Sequence, residues 1–124
     1  MNTIRFFANR CEFVPCDDDS VGSIFLQDAT TREYLSLSRR LEGARGPVEI
    51  ERDDQQWVSR NGVANCVVSR NALAITVPPE SLFELGVGQW EISYVLSKEE
   101  FKLLVSAIMN IFADTSTVLR IVDA

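Results

Sequence analysis

"QWEISYVLSKEEFKLLVSAIMNIF", residues 89–112, carries two hydrophobic periods back to back, and the change between them decides the fold class. In its first part Trp90, Ile92 and Tyr94 alternate with Glu91, Ser93 and Val95, the period of two expected of a strand. Ser97 with Glu100 three residues on is a capping box: the hydroxyl accepts from the third helical amide, and the carboxylate reaches back to the Ser97 N–H. Beyond it Phe101, Leu104, Val105, Ile108, Met109 and Phe112 recur at helical spacing. The spacing predicts a long helix whose apolar stripe lies on a sheet, so that truncating Phe101 or Phe112 to Ala costs roughly 3–5 kcal/mol.

Working upstream, "PESLFELG" (79–86) reads as a short helix, with Pro79 in its first turn and Gly86 as its stop. "ANCVVSRNALAITV" (64–77) is a hairpin around Ser69-Arg70-Asn71, ended by Pro78-Pro79. "EYLSLSRR" (33–40) alternates so as to send Leu35 and Leu37 to the core. After the loop "LEGARGP", Val48 and Ile50 alternate with Glu49 and Glu51 as another strand with a polar outer face. Residues 3–14 and 22–28 read as two strands around the turn-rich "PCDDDSVG", and "TSTVLRIVDA" (115–124) as either a last strand or a loose tail.

Connections this short leave no room for repeated βαβ crossovers. The expected fold is therefore α+β: a mainly antiparallel sheet, one long C-terminal helix packed on it, and a short helix before the last main strand. Residues 1–124 fit one domain, since 124 residues suffice for a single core.

Composition narrows the chemistry. Histidine is absent, which removes Ser-His-Asp, Cys-His and histidine-metal sites within this chain. Cys11, Cys16 and Cys66 are odd in number and lack CxxC spacing, so reduced thiols are expected, and neither a metal nor any other cofactor. No apolar run is long enough for a signal peptide or a membrane span, which points to a cytoplasmic protein without membrane contact. The net charge of −6 disfavours nucleic acid and favours a basic partner.

Asp17-Asp18-Asp19-Ser20 lacks the glycine and glutamate spacing of a calcium loop and reads as a solvated turn. Arg39-Arg40 with Arg45 forms a small basic island, suited either to an anion or to capping a strand end and balancing nearby acids. The loop expected after Glu51 offers a surface instead. Trp57 is a large, rigid anchor there, and Asp53, Asp54, Gln55, Gln56, Arg60, Asn61 and Asn65 form a polar rim around it. The alternative is an inward-facing Trp57 with Asn61-Gly62 as a plain turn.

The order of segments "EYLSLSRR", "VEIERDDQQWVSRNGVANCVVSRNALAITV" and "LFELGVGQWEISYVLSKEEFKLLVSAIMNIF" is similar to the immunity protein 10 family of bacterial polymorphic toxin systems, over roughly residues 22–113. The likeness rests on a leucine-rich strand with a trailing Arg, a loop from Gln55-Gln56 to Gly62, a Leu-Gly before the last strand, and Ile111-Phe112 at the helix end. Asn61-Gly62-Val63 stands where the family has an aromatic residue followed by two glycines. The resemblance implies a cytoplasmic, non-enzymatic protein that binds the toxin domain encoded beside it and blocks its activity. Two further classes stay open at this point. One is an acidic secretion chaperone, distinguishable as a dimer holding an unfolded client; the other is a small carboxylate-dependent enzyme, in which Asp53 and Asp54 would be needed for turnover.

Overall fold

Alternating apolar and polar residues generate strands over most of the chain, and the computed structural model describes residues 2–43 and 45–122, with Gln55 described in its backbone only. The strands are β1 (Thr3–Phe7), β2 (Arg10–Val14), β3 (Val21–Gln27), β4 (Tyr34–Arg40), β5 (Glu49–Arg52), β6 (Asp54–Ser59), β7 (Asn65–Val68), β8 (Ala72–Thr76), β9 (Gln89–Ser93) and β10 (Val118–Ile121). Helix α1 (Pro79–Leu85) precedes β9, and α2 (Lys98–Phe112) follows it. This is the α+β class the sequence implies, and its ladders are mainly antiparallel.

The strands divide between two five-stranded sheets. One is the meander β2-β3-β4-β5-β6; the other has the order β1-β9-β8-β7-β10, in which β1 runs parallel to β9 and β10 parallel to β7. Ile24, Leu26, Leu35, Leu37 and Ile50 face inward from the meander, and Cys66, Leu73, Ile75, Trp90 and Ile92 from the second sheet. Together with α2 they form one apolar cluster. Leu35 and Leu37 thus take the core positions their alternation requires.

Residues 3–14, read above as one strand, are two strands in different sheets. The chain crosses over at Ala8 and Asn9: the Ala8 N–H donates to the Ser93 carbonyl at 2.8 Å, and the next amide, that of Asn9, donates to the Gln27 carbonyl at 3.1 Å. Ala8 is small enough to be buried at this junction. The acidic turn behind β2 is closed by Asp17, whose Oδ1 accepts the Asp19 and Val21 amides at 2.9 Å each. Residues 118–121 settle the choice left open at the C-terminal end, since they add an edge strand to β7.

The box that begins α2 is complete: Ser97 Oγ accepts the Glu100 N–H at 3.1 Å, and Glu100 Oε1 accepts the Ser97 N–H at 2.9 Å. The buried face of α2, however, is Leu104, Ala107, Ile108, Ile111 and Phe112. The expected stripe is rotated, with Phe101 and Val105 only partly covered and Met109 53% exposed. The reason is contact geometry: α2 rests on β2, β3 and β4, and Ala107 in the seam lets the helix approach closely on the side away from Met109. At its C-terminus the buried Arg39 donates from Nη1 to the Ile111 and Ala113 carbonyls at 2.9 and 2.7 Å, and from Nε to the Gly46 carbonyl at 2.8 Å. The basic island therefore holds a helix end rather than balancing acids with this residue.

Candidate protein-binding surface

The stretch expected as a loop around Trp57 is strand β6, the edge of the meander, hydrogen-bonded to β5 and covered on one side by α1. "DQQWVS" has no clean apolar alternation, so its pairing comes from the hairpin it closes with β5. That hairpin turns within one residue. Asp53 takes φ 55°, a left-handed conformation that Asp tolerates better than most residues, and the register shifts between Glu51 and Arg52.

Asp53 acts as a strut. Its Oδ1 accepts the Tyr34 N–H at 2.9 Å and its Oδ2 accepts Arg52 Nη1 at 2.8 Å, which ties the turn to β4. Arg52 Nε donates to the Leu85 carbonyl at 2.6 Å, at the end of α1. The same guanidinium lies over the Trp57 ring, 4.5 Å from its centroid. Gly86, the left-handed cap of α1 at φ 68°, closes the stack: a Cβ there would sit 3.1 Å from Trp57 Cζ3 and 3.3 Å from Arg52 Nη2. Glycine is required at this position both by conformation and by space.

Trp57 is consequently neither fully core nor free. Its ring rests on Arg52 and Gly86, and the residue remains 37% exposed. On α1, Ser81 and Leu85 face inward, and Ser81 Oγ meets Ser59 Oγ at 2.8 Å. Phe83 lies on the outer side of the same helix, 95% exposed, one turn before the Gly86 on which Trp57 packs. Fully exposed aromatic side chains are expensive to leave in water, and they are the residue type on which protein interfaces concentrate their binding energy.

The rim residues named from sequence separate into groups. Asp54 and Gln56 are exposed on β6, but alternation along the strand turns Gln56 to the face opposite Trp57, and Asp54 Oδ1 accepts the Gln56 N–H at 3.2 Å, while the side chain of Gln55 lies outside the described residues. Arg60 and Asn61 sit past the far end of the strand, about 20 Å of extended chain from Asp54. Arg60 Nε pairs with Glu49 at 3.1 Å, and Asn61 Nδ2 donates to Glu84 Oε1 at 2.6 Å, fastening α1 to the strand end. Asn65 begins β7 and belongs to the other sheet. Asn61-Gly62 is a turn, with Gly62 at φ 82°.

Arg52 and Phe83 are the members that sequence reasoning missed. Helix spacing from Ser81 to Leu85 gives an inner face that excludes Phe83, but "LFEL" equally reads as an apolar run, and Arg52 carries no local mark of its contact with Leu85. The opposite, outer face of the meander carries a second aromatic pair. Phe25 and Tyr34 stack at 5.5 Å, and Tyr34 donates to Glu51 Oε2 at 2.6 Å. Burial first, and then this bond to Glu51, raise the Tyr34 phenol above its ordinary value, so it stays a donor at neutral pH.

Among the described residues no group of three or more His, Cys, Asp or Glu is placed to hold a metal ion, and no helix is long and apolar enough to cross a membrane. No protein-family model, curated protein or solved structure matches the chain.

Proposed function

We propose that this chain is a binding protein that captures the toxin domain encoded beside it and neutralises it in the cytoplasm. The single observation behind the binding role is the pair of outward aromatic anchors, Trp57 braced on Arg52 and Gly86, and Phe83 on the adjoining helix. A braced tryptophan loses little conformational freedom on docking, so more of its contact energy appears as affinity. The exposed Asp54 on the same strand, within a chain of net charge −6, suits a cationic partner and would speed its capture. That the partner is a toxin rests on the resemblance to the immunity protein 10 family.

Co-expression tests the proposal. The C-terminal domain of the neighbouring large secreted protein is induced in a test bacterium with and without this chain, and survivors are counted. Rescue, with the two proteins purifying as one complex, is the expected result; unrelieved killing by a domain that is toxic alone refutes it.

A further inference from the structure

A second site lies at the other end of β6. A cavity of about 260 Å³ opens between the end of β4, the turn before β7 and the turn before β10, with Arg39, Arg60, Asn61, Gly62, Ser116 and Thr117 among its walls. It is large enough for a small ion with several waters. Three features give it a ligand preference.

Arg39 is only 9% exposed, and among the described residues no carboxylate comes within ion-pairing distance of it. Its Nε and Nη1 are taken by three carbonyls, whereas Nη2 has no hydrogen-bond partner among the described residues, and Arg39 lines the cavity. A buried guanidinium with a spare donor edge and no counter-ion is an electrostatic deficit that an anion relieves. Burial, and after it the nearby Arg45, work against the charge on Arg39, with only Asp114 favouring it.

The second feature is a second cation across the cavity: Arg60 holds Glu49 through Nε alone, which leaves its amino groups for another partner. The third is a free hydroxyl. Thr117 is fixed by its bond to the Val63 carbonyl at 2.6 Å, and next to it the Ser116 hydroxyl makes no hydrogen bond among the described residues. Two guanidinium groups and a hydroxyl lining one cavity suit a doubly charged oxyanion such as phosphate better than a singly charged carboxylate.

We propose that this cavity binds a phosphate-class oxyanion, held between Arg39 and Arg60 and by the Ser116 hydroxyl. Glu49 and Asp114 oppose the ligand, so a modest affinity is expected. The site is separate from the aromatic surface, and its fate does not depend on the identity of the partner bound there.

The test titrates inorganic phosphate into the ¹⁵N-labelled full chain at constant ionic strength, with chloride and acetate titrations in parallel. Saturable shifts confined to the Gly62, Val63, Ser116 and Thr117 amides and the Arg39 side chain are expected, with acetate distinctly weaker. Arg60→Gln, an exposed substitution that leaves Arg39 in place, should weaken phosphate binding about tenfold. Arg120→Gln, on the outer side of β10, should leave it unchanged. Shifts that never saturate, that chloride reproduces, or that survive Arg60→Gln at full affinity would overturn the site. Acetate binding as tightly as phosphate would overturn the preference for a doubly charged oxyanion.

Discussion

Replacing Arg52 with Ala removes three contacts in one step. The bond to the Leu85 carbonyl is charge-assisted and short, at 2.6 Å, and Leu85 is buried, so its carbonyl has little water to turn to. Losing such a bond costs about 1.5–3 kcal/mol. The stack on Trp57 adds about 0.5–1 kcal/mol. The pair with Asp53 adds less than about 1 kcal/mol, because the carboxylate is partly solvated and the interaction is screened. The whole change is therefore about 2–5 kcal/mol, or roughly 8–20 °C in melting temperature at about 4 °C per kcal/mol for a domain of this size. Urea unfolding measures it as a lower midpoint at unchanged slope. Arg52→Lys keeps the charge but cannot bond Leu85 and cover the ring together, so it should recover only part of the loss. A loss below about 0.5 kcal/mol for Arg52→Ala would refute the claim that this side chain braces α1 and Trp57.

Ser97→Ala removes one half of the box at the start of α2 and should lower stability by about 1 kcal/mol in the same urea assay, whereas Ser97→Asp should retain most of it. Thiol chemistry should distinguish the three cysteines. Burial pushes the thiol of Cys66 up to about 12, and burial with Glu100 nearby pushes Cys11 up to about 11, while Cys16 is exposed. One thiol of the native chain should react with a disulfide reagent at mildly alkaline pH, and all three in denaturant. Because both folded values lie above the ordinary 9.0, their contribution to stability is intact below pH 9 and is lost as pH rises through 11 to 12. An alkaline fall in melting temperature above pH 9, reduced in Cys66→Ala relative to that variant's own neutral value, is the expected signature.

Elements that announce themselves through local chemistry were legible in the sequence. The capping box of α2, the Ser69 to Asn71 turn and Gly86 after α1 all act within a few residues, so their signals lie next to one another in the chain. What depends on distant partners was not. Nothing local says that Phe7 and Arg10 belong to different sheets, because the division is made by the Ser93 and Gln27 carbonyls that claim Ala8 and Asn9. β6 has no strand pattern of its own and is recruited by the turn at Asp53. The same holds for the candidate surface: Trp57 could be picked out by residue type, but its brace comes from Arg52 across a hairpin and from Gly86 some thirty residues on. The exposure of Phe83 follows from the buried serine pair at Ser59 and Ser81, which turns the other side of α1 toward β6.

Phe83 provides the most direct test of the central claim, since a side chain 95% exposed can be removed without disturbing the core. The measurement is the dissociation constant of Phe83→Ala for the neighbouring toxin domain, taken beside the unaltered chain and beside melting curves of both. An unchanged melting temperature with affinity weakened by about 30-fold or more, the size of a hot-spot loss, is the expected result. Unchanged affinity in a variant that still folds would contradict the account and move the interface away from α1 and β6.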